Sequence, residues 1–191
     1  MTRLSRDDII TGAGRRFATH GYHGTSMRDL GEDLGILGSS IYAHVGGKQE
    51  LLIAVIERGA SYFEESADRA VADGDGPSST LRLLVVGHID VVLDHRAEAR
   101  TYLSETDFLE VSEQARVTGM RQRYEAVFVD TIRRGVAEGE FDPDRSVRLS
   151  AIYVLSILNA VDRWFSDSGA LTRAAFAHDL CGFVLEGLNA T

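Results

Sequence analysis

Thr25, Ser26, Arg28, Gly38, Ser39, Ser40, Tyr42, His44 and Lys48 fall in one short stretch near the N-terminus. They offer hydroxyls, an imidazole, a guanidinium and an ammonium, and Lys48 is the only lysine of the 191 residues. Such groups donate hydrogen bonds to phosphate oxygens and to base edges. Small residues such as Gly38, Ser39 and Ser40 at the start of a reading helix let it approach a major groove closely. Tyr42, His44 and Thr25 or Ser26 are suited to phosphates, Arg28 to a base or a phosphate, and Lys48 to one more phosphate as a point charge. Singly, each has a plainer reading: Tyr42 as packing, His44 as surface, Thr25 as a helix cap. Their joint spacing is what points to double-stranded DNA.

Helices must hold these residues. Ser5 with Asp8 three positions on forms a capping-box-like start, Ile9, Ala13 and Phe17 share a face, and Gly21 supplies a stop. A second helix from Thr25 or Ser26 to about Leu34 buries Met27, Leu30 and Leu34; Gly35 makes the turn, and a third runs from Ser39 to Val45. A long helix follows over about 48–72, then a linker over 72–79, then helices near 79–95, 97–109, 112–138, 144–165 and 172–188. Strand-like alternation is nearly absent. The expected fold is all-α with about nine helices: a helix-turn-helix domain over 1–47 and a helical ligand-binding and dimerisation domain over 48–191.

Two prolines and 44% hydrophobic residues describe an ordinary globular chain. No apolar run approaches the roughly 20 residues of a membrane span, MTRLSRDD has no secretory apolar core, and Cys181 stands alone; a cytoplasmic protein is expected. The net charge of −9 is unevenly spread. Residues 1–48 carry six Lys/Arg and five Asp/Glu, whereas 49–191 carry fourteen and twenty-four. Only the N-terminal quarter tolerates a polyanion, and the acidic remainder steers DNA toward it.

Residues 6–53 resemble the N-terminal domain of TetR-family transcriptional regulators. The matching elements are Ile9–Ile10, Ala13, Phe17, Gly21–Tyr22, Gly24-Thr25-Ser26-Met27, Asp29-Leu30, Gly35-Ile36, Ile41-Tyr42-x-His44 and Lys48-x-Glu50-Leu51-Leu52. The resemblance implies a homodimeric DNA-binding protein, usually a repressor, with a small-molecule pocket in its C-terminal domain. It places Thr25, Ser40, Tyr42, His44 and Lys48 where the family commonly contacts DNA. Three residues depart from the pattern. Leu37 stands where Ser or Thr usually caps the reading helix, which moves its start to Gly38 or Ser39. Gly31 replaces an alanine at a cost of up to ~1 kcal/mol in helix propensity, and Val45 replaces an aromatic.

Further on, Gly135-x-x-x-Gly139-Glu140-Phe141 and Asp162-Arg163-Trp164-Phe165 ahead of Gly169-x-Leu171-Thr172 join Gly35-Ile36-Leu37 in a second resemblance. It is to TetR-family members that sense acyl-CoA thioesters, and it implies a ligand with an apolar acyl part and a phosphate-bearing head. An acyl group requires an apolar lining, for which Tyr102, Leu103, Phe108 and Tyr124 are candidates, with Phe128, Tyr153, Leu158 and Trp164. Phosphates require arginine: Arg100, Arg121, Arg123 and Arg163 are available. Asn159 and Arg163, one turn apart on an apolar helix, fit a shared pocket or interface; the plainer reading pairs Arg163 with Asp107 or Asp162 and makes the aromatics core.

That penultimate helix is apolar around most of its circumference, so it must be buried all round. With the last helix it offers a two-fold interface through Val147, Ala151 and Leu155 and through Phe176, Leu180, Phe183, Val184 and Gly187. Both helices as plain protomer core is the alternative. Release from DNA would be a population shift carried by the long helix after Lys48. A TetR-like efflux regulator sensing a hydrophobic drug, and a helical ligand-binding dimer without DNA function, are the rival readings. Enzyme function is not expected: there is no phosphate loop, nucleophile elbow or zinc-like cluster. His88, Asp90, Asp94 and His95 read as helix residues before metal ligands, and no cofactor is expected.

Overall fold

A computed structural model describes residues 4–189. Among these residues the secondary structure is helical, with no strand. The helices are α1 (Arg6–His20), α2 (Met27–Leu34), α3 (Gly38–Ile41), α4 (Lys48–Asp73) and α5 (Pro77–Asp94), then α6 (Arg96–Ser104), α7 (Val111–Ala137), α8 (Val147–Leu158), α9 (Val161–Trp164) and α10 (Arg173–Leu188). A 3-10 turn, Thr106–Phe108, separates α6 from α7. The all-α expectation holds. No helix of the described residues is long and apolar enough to cross a membrane.

The chain forms two compact units. The first comprises the chain up to Ser61 with His95–Gly119; the second comprises Tyr62–Asp94 with the chain from Met120 onward. In the first, Ser5 and Asp8 complete a capping box, Asp8 N–H donating to Ser5 Oγ (3.1 Å) and Ser5 N–H to Asp8 Oδ2 (2.8 Å). Ile9, Ala13 and Phe17 are then buried with Leu30, Ile41, Leu51 and Val55, and α1 packs on α6. In the second unit α5 packs against α8, α9 and α10. Its stripe Leu81, Leu84, Val85, Ile89 and Val92 is buried with Phe128, Ala151, Leu158, Phe176 and Val184.

Four boundaries differ from the sequence reading. The expected linker over 72–79 is largely helical, because α4 continues to Asp73 and Pro77 opens α5, a position where its missing N–H costs nothing. The helix expected over 97–109 stops at Ser104 and gives way to the 3-10 turn; Glu105 instead accepts a hydrogen bond from Tyr22 N–H (2.9 Å). The regular part of α3 ends at Ile41, although hydrogen bonds from His44 N–H and Val45 N–H to Ile41 O carry the turn onward. The helix expected over 144–165 breaks at Asn159–Ala160: Ala160 N–H bonds Ile157 O and Arg163 N–H bonds Ala160 O, the tighter 3-10 spacing. Asn159 and Arg163 are therefore on different helices. Nor is α8 covered all round in the protomer: Ala151, Val154 and Leu158 are buried, while Leu149 and Tyr153 are exposed.

Candidate nucleic-acid interface and ligand-binding residues

The head is built around one close crossing. A methyl group added to Gly31 would lie 2.6 Å from Gly38 N, and one added to Gly38 would lie 2.8 Å from Met27 O. Gly31 therefore gives up helix propensity so that α2 and α3 can touch through backbone. Gly38, read from sequence as a small groove-facing residue, is also required by that contact. Gly35 joins the two helices in the left-handed conformation (φ 68°) that glycine accepts without strain. Ser26 caps α2, its Oγ accepting from Asp29 N–H (3.1 Å) while Ser26 N–H donates to Asp29 Oδ2 (2.9 Å). These bonds from Ser26 hold the Asp29 carboxyl below its ordinary range.

The residues nominated for DNA are not equally available. Ser39, Ser40 and Tyr42 are exposed and His44 is half-buried, with Ile41 and Val45 turned into the core. Arg28 is exposed and paired with Glu32 one turn on (3.0 Å). Thr25 is buried, its hydroxyl donating to Gly21 O (3.0 Å). Lys48 Nζ stands 4.0 Å from the centre of the Tyr22 ring, a cation held by a π face instead of by a carboxylate. Burial lowers its pKa from the ordinary lysine value, opposed by the charge of Asp29. Sequence reasoning missed this pairing, although Tyr22 was in view as a motif residue.

The nominated ligand residues divide between the units. In the first, Tyr102 is buried, Leu103 half-buried and Arg100 exposed. Phe108 stacks on Tyr22 (5.9 Å between centroids) and meets His23 edge-on (4.6 Å). In the second, Tyr124 and Phe128 are buried against each other (5.4 Å), and Tyr124 also meets Phe63 (5.4 Å). Leu158 is buried, Tyr153 and Arg163 are exposed, and Asn159 ends α8. Trp164 is exposed but packs edge-on against Phe176 (5.1 Å). Arg121 is half-buried, and Arg123 pairs with Glu64 (3.3 Å).

The residue that sequence reasoning undervalued is His88. It is buried, its Nδ1 lies 3.0 Å from Tyr124 Oη, and its Nε2 has no hydrogen-bond partner. Desolvation lowers its pKa to about 3, so the imidazole is neutral. The signal lay in the pattern: His88 continues the apolar stripe Leu81, Leu84, Val85. Asp90 and Asp94 both engage Arg173 (3.7 and 2.6 Å), which also meets Asp167 (3.5 Å) and so ties the start of α10 to α5.

Residues 9–55 match the profile of the bacterial regulatory proteins of the tetR family, and residues 74–188 match that of the Tetracyclin repressor-like C-terminal domain. The chain belongs to the TetR family of transcriptional regulators. The HTH-type transcriptional repressor KstR2 of Mycobacterium tuberculosis is 26% identical over 188 residues, spanning 96% of this chain and 92% of that one. The structure of the ketosteroid transcriptional regulator KstR2 of M. tuberculosis superposes with a TM-score of 0.90 at 22% identity, covering 100% and 98% of the two chains. AibR, solved in complex with isovaleryl coenzyme A and operator DNA, superposes with a TM-score of 0.87 at 24% identity, covering 93% and 96%. Kinship with these proteins makes the chain a DNA-binding transcriptional regulator.

In this TetR-family regulator the nominated interface residues lie on two faces. Ala151, Phe176, Leu180 and Val184 are buried within the protomer, Leu155 is half-buried, and Phe183 and Gly187 are exposed. Val147 borders a groove with Ala126, Val129 and the charged Glu125 and Arg148. An i, i+4 stripe on α10 finds the protomer core; the uncovered residues sit off it.

Proposed function

We propose that this regulator is a repressor, working in the cytoplasm as a homodimer that grips double-stranded operator DNA with the α2–α3 head of each copy and lets go on binding an acyl-CoA thioester. Residues 1–47 are the reading head, and 48–191 bind ligand and partner. Ser39, Ser40 and Tyr42 face the groove from α3; Arg28, His44 and Lys48 take phosphates beside it, and Thr25, Ser26 and Gly38 hold the element in shape. The partner covers the apolar residues that one copy leaves exposed on α8 and α10, Leu149, Tyr153 and Phe183, with Gly187 allowing close approach.

One observation carries the ligand reading: the His88–Tyr124 pair is a neutral polar point among buried aromatic rings. His88 Nδ1 and Tyr124 Oη share a hydrogen bond, which leaves Nε2 as the unpartnered polar atom of the neutral ring, a donor when Nδ1 accepts and an acceptor when Nδ1 donates. As a donor, Nε2–H suits a carbonyl oxygen such as that of a thioester, and the surrounding aromatic rings disfavour a free carboxylate, whose charge would be desolvated there. Phe63 and Phe128 supply apolar surface for the acyl chain, and Arg121 and Arg123 are the nearest to Tyr124 in sequence of the candidates for phosphate. The kinship with AibR, whose complex holds isovaleryl coenzyme A, points to the same ligand class. Phe63 lies on α4, the helix that begins at Lys48, so ligand preference for one state of α4 would shift the head.

The test is a thermal-shift panel of acyl-CoAs, the corresponding free acids and cationic drugs, followed by gel shift on operator DNA with the hits. Stabilisation by acyl-CoAs alone, with release of DNA, is expected, since a ligand that prefers the native state raises stability. Stabilisation confined to cationic drugs would assign the chain to drug sensing. DNA affinity unchanged at saturating acyl-CoA would refute the induction reading.

A further inference from the structure

Leu37 is at odds with its place in the chain. It occupies the N-cap of α3, in extended conformation (φ −69°, ψ 137°), and its side chain makes no capping hydrogen bond. The other two helices of the head begin with serine capping boxes, at Ser5 and Ser26. A leucine forgoes that bond, and nothing in the protomer compensates, because Leu37 is 75% exposed. The backbone around it is well fixed. Its carbonyl accepts from Ser40 N–H (2.8 Å), and the next residue, Gly38, lies against Met27 O and Arg28 Cα of α2. An apolar side chain is thus presented to solvent from an ordered turn, immediately before the exposed Ser39 and Ser40.

The environment that would bury it is the one the head binds. Base edges in the major groove carry hydrogen-bonding groups and a single kind of apolar group, the C5-methyl of thymine. We propose that Leu37 is a specificity-determining residue that reads a thymine methyl at the edge of the α3 contact, so the operator carries a thymine there. This rests on α3 being the reading element. It assigns Leu37 a role different from those of Ser39 and Ser40: shape and apolar contact instead of hydrogen bonding.

The test uses the full chain. Duplexes are selected from a random pool by the wild-type protein, and each thymine of the selected sequence is replaced singly by deoxyuridine, which removes only the methyl. Burial of one methyl predicts a loss of about fourfold in affinity at the thymine that Leu37 reads. Leu37→Ala, which removes exposed atoms and leaves Gly38 in place, should bind thymine and uracil duplexes there equally well. A wild-type protein indifferent to every methyl, or a loss that persists unchanged in Leu37→Ala, would overturn the assignment while leaving DNA binding intact. Selection of no duplex at all would overturn the α3 reading and the Leu37 assignment with it.

Discussion

Gly31 and Gly38 of the head and the glycines of the last helix have opposite surroundings. A Cβ at Gly31 or Gly38 would strike backbone atoms within 3 Å, whereas one at Gly182 or Gly187 would meet nothing within 4 Å. The head is thus closed on itself at this point, with Gly31 and Gly38 consumed by the α2–α3 crossing. The α10 glycines flank Phe183, a large apolar side chain that is 65% exposed. The same residue type marks a completed contact in one place and an open surface in the other. For the proposed dimer that division is economical: the reading element would be rigid in each copy, while the dimer face would acquire its cover from the second copy.

The sharpest way to break this comparison is Phe183→Asp. If a second copy covers α10, the substitution places an unpaired charge in a desolvated contact, a cost of roughly 3 kcal/mol or more. The dimer dissociation constant should rise at least about a hundredfold by sedimentation equilibrium, with helical circular dichroism retained in the monomer. An unchanged assembly state would show that the α10 face is open for another reason. Gly38→Ala probes the opposite side. Its Cβ meets Met27 O at 2.8 Å and Arg28 Cα at 3.0 Å, so overpacking of about 1–3 kcal/mol is expected in urea unfolding, together with weakened operator binding. Gly187→Ala should instead leave the protomer no less stable, since helix propensity favours it.

The head was legible in the sequence because its devices are local. Ser5 with Asp8, Gly35 at the turn, and Ile41 with Val45 on one face each follow from neighbours within a few residues. The failures arose where distant partners decide. Gly31 looked like a defect until Gly38 was seen against it. Phe176, Leu180 and Val184 are one stripe in sequence, but only packing against α5 reveals it as the inner face. The break at Asn159 has a weak local signal, an amide residue that competes for backbone bonds, inside an apolar run that reads as continuous. Of the residues nominated for a ligand, Tyr124 and Phe128 come together, while Tyr102 and Phe108 belong to the other unit. His88 required its partner Tyr124, 36 positions away.

His88 gives the second unit a test that the head does not share. Its native pKa near 3 lies below the ~6.5 of an exposed histidine. Between those values the unfolded chain binds the proton and the native chain does not, so stability is fully present above pH 6.5 and falls as pH drops. The slope is about 1.4 kcal/mol per pH unit, or roughly 2 kcal/mol by pH 5. His88→Gln should remove that component, flattening the difference between denaturation curves at pH 7 and pH 5. Asp8, Asp29 and Glu50, whose carboxyls are held low by hydrogen bonds, titrate alike in both proteins and cancel. An unaltered pH dependence would mean that the imidazole is not shut off from protons.

The smallest effect expected is at Lys48, and it bears on whether the closed head still meets DNA through more than α3. Lys48→Ala should weaken binding several-fold at low salt, by the same factor on every duplex, whereas Leu37→Ala acts at one thymine. Loss of the contact with Tyr22 would also disturb the head, so affinity alone does not separate the two causes. The salt dependence does. A lost phosphate contact reduces counterion release, so the slope of log affinity against log salt should flatten by about 1 for each protomer bound. Loosened packing at Tyr22 would lower affinity by a constant factor and leave the slope unchanged. A flattened slope makes Lys48 a phosphate ligand steadied by the Tyr22 ring, and an unchanged slope makes it a packing residue that happens to be charged.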